Sequence, residues 1–192
     1  MADRESPLVA CAVQNATTVA DSAVVVSERP FLGHLNLHGD LDDETFHAAV
    51  KTALGFSVPV APNTVTESKQ AQACWLGPNE WLIICAEDRR QSLLQELSEA
   101  LRDLFAAVTD ISAGQTIIRI GGDCAREVIS KGCTLDLHPR VFNKGQCAQS
   151  GIAKVSVLIR HVDDVPTFDV VVRRSFAEYL WMWFKDAAAE YL

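Results

Sequence analysis

Positive charge is scarce in this chain. Its 192 residues carry 17 Lys and Arg against 25 Asp and Glu, a formal charge of −8. No segment clusters the cations that phosphate neutralisation requires, so nucleic acid is excluded as a partner. Long apolar runs are also missing. None approaches the roughly twenty residues that span a bilayer as a helix, and no membrane segment is expected. The six cysteines contain no Cys-x-x-Cys pair, which removes the usual signature of a dithiol redox centre or a zinc knuckle. They read as small, reduced core residues. The first seven residues mix both charge signs and lead into a short apolar run, Leu8 to Val13, unlike a secretory signal. A cytoplasmic location is the expectation.

What is present is a hydrophobic fraction of 48% with 22% charged residues, the balance of a globular protein with a real core. At this length one domain covering residues 1–192 is expected. Residues 59–72, rich in Thr, Ser, Asn, Pro and Gln, are the place where two lobes would be joined.

Period-two patterning predicts strands at 23–26 and 31–37, with Leu35 and Leu37 on the buried face and His34, Asn36 and His38 on a solvated one. The cluster Asp40, Asp42, Asp43 and Glu44 then opens an amphipathic helix, with Phe46, Val50 and Leu54 on one face and Gly55 at its end. Residues 74–85 read as a hairpin turning at Gly77-Pro78-Asn79-Glu80, its second strand central. A helix is predicted over 89–106 with Leu93, Leu94, Leu97, Leu101, Leu104 and Phe105 as its apolar stripe. Strands follow at 108–111 and 116–120. Gly121-Gly122-Asp123 then turns into a short helix, 124–130, capped by Asp123. A second hairpin spans 152–161 and 167–173, with Lys154, Ser156 and Arg160 on its solvated side. Ser175-Phe176-Ala177-Glu178 fits a capping box opening a last helix. This succession lacks strict β-α alternation, so the fold class is α+β, a mostly antiparallel sheet covered by helices.

Each apparent active site has a plainer explanation. Gly121-Gly122 lacks the third glycine and the acidic residue of a dinucleotide site. His34 and His38 sit four apart on a strand, with no carboxylate or thiol fixed nearby to complete a metal site. Cys133 and His138 offer a thiolate and a base by residue type alone. Ser112 beside Asp110 and Gly114 lacks the nucleophile elbow. Asp163, Asp164 and Asp169 read as hydrated carboxylates at a hairpin tip or on an open strand face. No catalytic, cofactor-binding or metal-binding residue is therefore assigned. The last helix carries more aromatic area than one buried face accommodates. Positions 176, 180, 183, 184 and 187 form its stripe, and Trp181 projects away from it. Tyr179, Trp181 and Trp183 are the candidate partner interface, set against a second layer of the same domain as the alternative covering.

The segments Trp75 to Leu82, Thr109 to Ser112, Arg119 to Gly122, Lys131 to Pro139, Cys147-Ala148-Gln149 and Arg174 to Trp181 together resemble the gamma subunit of heterotetrameric sarcosine oxidase. More distantly, residues 106–123 resemble part of the glycine-cleavage aminomethyltransferase fold, so the chain is expected to resemble half of that folate-binding fold. The resemblance implies an oxidoreductase that demethylates sarcosine to glycine, forms hydrogen peroxide and passes the one-carbon unit to tetrahydrofolate. It implies that this chain is a non-catalytic structural subunit without cofactor, partnered by alpha, beta and delta subunits and chiefly by the large alpha subunit. FAD, FMN, NAD, tetrahydrofolate and zinc are then expected in the other chains. Two alternatives share the resemblance: the equivalent subunit of a related N-methyl amino acid oxidase or dehydrogenase complex, and a free-standing folate-binding transferase-like module.

Overall fold

The computed structural model describes residues 5–14 and 23–191; residues 1–4 of the charged N-terminal segment lie outside them. In chain order the elements are α1 (Val9–Gln14), β1 (Val25–Arg29), β2 (Gly33–His38), α2 (Glu44–Leu54), β3 (Val65–Glu67), β4 (Ala71–Gly77) and β5 (Glu80–Cys85). Then come α3 (Arg90–Ala100), β6 (Ala107–Asp110), β7 (Gln115–Gly121), α4 (Ala125–Ser130), β8 (Cys147–Ile152), β9 (Val155–Asp163), β10 (Thr167–Arg173) and α5 (Ala177–Ala188). They form two units, one of residues 1–30 with 114–192 and the other of residues 31–113. The chain passes between the units at Pro30/Phe31 and at Ala113/Gly114. Residues 59–72 join no lobes. They lie inside the second unit, where β3 pairs with β4 at the sheet edge.

Each unit holds a five-stranded antiparallel sheet, in the order β3-β4-β5-β2-β6 in one and β8-β9-β10-β7-β1 in the other. These two orders describe the same path. Each runs strand, helix, three-strand meander, helix, and the fifth strand lies beside the first; in the unit containing β7 that fifth strand, β1, comes from earlier in the chain. The repetition is why local patterning reads as a recurring β-β-α theme.

In the second unit the α2 reading holds. Asp43 Oδ1 accepts the Thr45 N–H at 2.7 Å, Phe46, Val50 and Leu54 are buried, and Gly55 closes the helix at φ 78°, a left-handed conformation that glycine adopts without a Cβ penalty. The central strand β5 sends Trp81 and Ile83 into the core with Leu35, Leu37, Leu93 and Leu97. Trp81 stacks on Phe46 with ring centroids 5.5 Å apart, and its indole N–H donates to the Pro59 carbonyl at 2.8 Å. The helix α3 stops at Ala100 rather than continuing to 106. Leu101 and Leu104 still face the core in the following turns, but Phe105 leaves it.

The other unit buries Ile118, Ile120, Ile159, Phe168, Val170 and Val172 beneath α4 and α5. Three local expectations fail there. Cys124, not Asp123, precedes α4, and no side chain caps it. Arg174–Phe176 forms a 3-10 turn ahead of α5, and no side chain of a capping box bonds there. The stretch 152–161 is broken by a turn at Ala153, whose φ is 52°. The Ala153 N–H donates to the Gly132 carbonyl at 2.9 Å, so a tertiary bond holds a turn that its residue types do not announce.

Candidate docking surface

Most of the polar groups that suggest chemistry are bonded within their own units; the His34 ring is not. Asp169 is fully buried rather than hydrated, and strand register explains its company. It stands opposite Arg119 of β7 on one side and Arg160 of β9 on the other. Arg119 Nε and Nη2 donate to its two oxygens at 2.7 and 2.9 Å, and Arg29 Nη1 donates at 3.0 Å. Arg160 Nη1 lies 3.7 Å away; Arg160 is itself buried, not on a solvated side. The bond to Asp169 pushes the Arg119 pKa up. With guanidinium donors on both oxygens, this carboxylate is built to hold four strands together, β1, β7, β9 and β10, not to serve as a general acid. Along the same hairpin Asp164 is exposed and Asp163 half-buried.

His34 is 1% exposed, against the expectation of a wet face. Neither ring nitrogen has a hydrogen-bond partner among the described residues. Burial lowers its pKa to about 4, outweighing the Leu32 backbone and the Asp110 carboxylate, which favour the charged form. Ser112 Oγ is engaged locally: it accepts the His34 backbone N–H at 2.9 Å and donates to Asp110 Oδ1 at 2.5 Å. Burial raises the Asp110 pKa, but the Ser112 bonds, helped by Arg90 and His34, leave it lowered. His38 is exposed and lies 3.6 Å from Glu80. Among the described residues no group of three or more His, Cys, Asp or Glu is placed to hold a metal ion.

The Lys131 to Pro139 block is clamped from within. Cys133 is buried with Sγ 3.5 Å from Ser150 Oγ, while His138 Nδ1 accepts the Arg140 N–H at 3.1 Å; thiol and imidazole bond to different neighbours. Arg126 donates to the Leu137 carbonyl at 2.5 Å and lies 3.3 Å from His161 Nε2. Its guanidinium also covers the Phe168 ring at 5.1 Å. His161, Phe142 and Phe168 pack as a cluster of three stacked rings, with centroids 4.9, 6.3 and 6.4 Å apart, and burial followed by the Arg126 charge lowers the His161 pKa. At Gly122, with φ 114°, a Cβ would stand 2.3 Å from the Ala23 carbonyl oxygen, so the glycine serves a tight turn.

The aromatic helix divides differently from its sequence pattern. Trp181 is 4% exposed and faces the core with Leu180 and Phe184. Its position is therefore corrected: it is no surface residue. Trp183 is half-buried, and its ring lies where a Cβ on Gly132 would sit at 2.5 Å. Tyr179 is exposed and lines up with Phe176 and Met182 at intervals of three, one helical face. The largest exposure went unnoticed in the sequence. Phe105 is 101% exposed, beside a cleft of about 460 Å³ lined by His38, Gly39, Asp40, Asn79 and residues 104–107. No sequence signal pointed there: Leu101, Leu104 and Phe105 continue the helical i, i+3, i+4 stripe, and Asp103 falls on the polar face such a helix would have.

Two helix-covered antiparallel sheets of this order define an α+β fold, and the same fold occurs in an aminomethyltransferase. The aminomethyltransferase T of the glycine cleavage system from Bartonella henselae superposes with a TM-score of 0.64 over 85% of this chain and 46% of that one, at 11% identity. Only the fold is shared at that identity. Residues 38–190 match the model of the sarcosine oxidase, gamma subunit family, and the chain belongs to that family. The sarcosine oxidase subunit gamma of Corynebacterium sp. strain U-96 is 31% identical over 191 residues, covering 98% of this chain and 91% of that protein. A chain of the heterotetrameric sarcosine oxidase from Corynebacterium sp. U-96, solved in complex with pyrrole 2-carboxylate, matches with a TM-score of 0.89 at 30% identity, covering 98% and 96%.

Proposed function

We propose that this chain is the gamma subunit of a heterotetrameric sarcosine oxidase and acts there as a scaffold. One observation carries the reading: the TM-score of 0.89 over nearly the whole of both chains to a chain of such a tetramer. Its partners in this reading are alpha, beta and delta subunits, and the large alpha subunit is its main contact. Sarcosine demethylation, with its FAD, FMN, NAD, zinc and tetrahydrofolate, belongs to those chains, and the assembly works in the cytoplasm. No helix among the described residues is long and apolar enough to cross a membrane.

The residues present do not fit a folate. A pterin needs enclosing walls and convergent polar groups, whereas the cleft beside Phe105 is open, and the buried Asp169 and Ser112 and the half-buried Arg126 are bonded within the chain. No step of the reaction is routed through this chain. Coexpression with the three other subunits is the test: yellow flavoprotein should copurify with the tagged chain, and the isolated chain should neither oxidise sarcosine nor retain a flavin or folate. Turnover by the isolated chain, or a cofactor held tightly by it, refutes the scaffold role.

A further inference from the structure

We infer that the cleft beside Phe105 docks a segment of another subunit that presents an apolar side chain next to a Lys or Arg. The inference rests on the subunit reading and adds the site and the chemistry of its occupant. Phe105 is displayed, not left over. The Leu104 N–H donates to the Leu101 carbonyl at 3.0 Å and the Ala106 N–H to the Leu104 carbonyl at 2.8 Å, so a three-residue turn centred on Phe105 holds the ring outward while Leu101 and Leu104 remain anchored in the core.

The opposite wall is equally fixed. The Gly39 N–H donates to the Asn79 carbonyl at 3.2 Å, and Asn79 Oδ1 accepts the Leu41 N–H at 3.1 Å. These bonds tie the loop after β2 to the β4–β5 turn. The cleft is thus preformed, and little conformational freedom is lost when it is filled.

Charge selects the occupant. Asp40 lines the cleft, Asp42 and Asp43 follow it in the same loop, and Asp103 lies two residues before Phe105. None of the four forms an ion pair with a Lys or Arg among the described residues. An exposed aromatic in a cleft that holds Asp40, with three more carboxylates within a few residues in sequence, fits an apolar side chain with a cation beside it, and a guanidinium also stacks on such a ring. The strip at Phe176, Tyr179 and Met182 has Arg174, Glu178 and Lys185 around it, charges of both signs that select no partner.

The test uses the assembled complex. Tagged wild-type chain, Phe105→Ser and the double variant Asp42→Lys/Asp103→Lys are each coexpressed with the three partner subunits and an untagged wild-type competitor. The ratio of the two forms in the purified complex is read by mass spectrometry. None of the altered side chains packs in the core or bonds to another of the described residues, so circular dichroism should be unchanged. Phe105→Ser should be incorporated about tenfold less than wild type, the scale of a truncated interface anchor. The double variant should also compete poorly, most of all at low salt, where the charge pairing is least screened. Equal incorporation of both variants overturns the site, as does an effect seen only in self-association of the chain, which would make a second copy the occupant. Wild-type chain that captures no flavoprotein sinks the subunit reading itself, and the docking site with it.

Discussion

Acid should weaken this fold through His34. The ring is buried, its nitrogens have no partners among the described residues, and its pKa falls from 6.5 to about 4. The native state therefore holds His34 neutral at pH values where the unfolded chain protonates it. Protons bind the unfolded state more strongly between these two values, so stability is complete above pH 6.5 and declines as pH falls toward 4. At about 1.4 kcal/mol per pH unit the full penalty is about 3 kcal/mol, of which about 2 kcal/mol falls between pH 7 and pH 5. Asp110 acts lower. Its depressed pKa contributes stability lost only below the ordinary carboxylate range, outside that window. Urea unfolding of the full chain at pH 7 and pH 5 should show the drop in wild type and a drop smaller by about 2 kcal/mol in His34→Leu. His161, which titrates in the same direction, remains in both. Imidazole C2–H exchange on the peptide containing His34, measured in the assembled complex, should give a midpoint near the value of 4. Parallel pH profiles for the two proteins, or a His34 midpoint between 6 and 7, would refute the reasoning.

Replacing Asp169 by Asn leaves three guanidinium groups around a neutral side chain, and the cost should be about 3–5 kcal/mol in thermal or urea unfolding; a loss below about 1 kcal/mol would mean that the cluster is already solvated. Trp181→Ala should destabilise by about 3–5 kcal/mol because the ring is buried. Trp181→Phe, which also removes an indole N–H lacking a partner among the described residues, should lose much less. Failure of Trp181→Ala to assemble then reports unfolding, and an unchanged melting curve would return Trp181 to the surface. Gly132→Ala forces a methyl group to within 2.5 Å of the Trp183 ring, an overpacking worth about 1–3 kcal/mol, visible as altered Trp fluorescence and a lower melting temperature.

Where a side chain's position follows from neighbours a few residues away, the sequence was readable. The acidic start of α2, the Phe46, Val50 and Leu54 face, the Gly55 stop and the central place of Trp81 to Cys85 all follow from helical or strand period and turn chemistry. The cap at Asp123 and the capping box at Ser175 show the limit of such patterns, since neither forms when tertiary bonds settle the helix starts differently. Strand β8 went unseen because Cys147 to Ile152 alternates weakly, and the turn after it depends on a bond from Ala153 to Gly132.

The sequence by itself determined the α+β class, the family and the absence of a recognisable catalytic motif, because these reside in periodicity and in short motifs. Only the tertiary structure decided which polar residues are buried and which apolar ones are displayed. Asp169 is enclosed because β7 and β9 bring arginines from 50 and 9 positions away to its two sides; Phe105 is displayed because α3 ends five residues before it. A strand's period fixes which face a side chain takes, but whether that face is covered depends on chain distant in sequence.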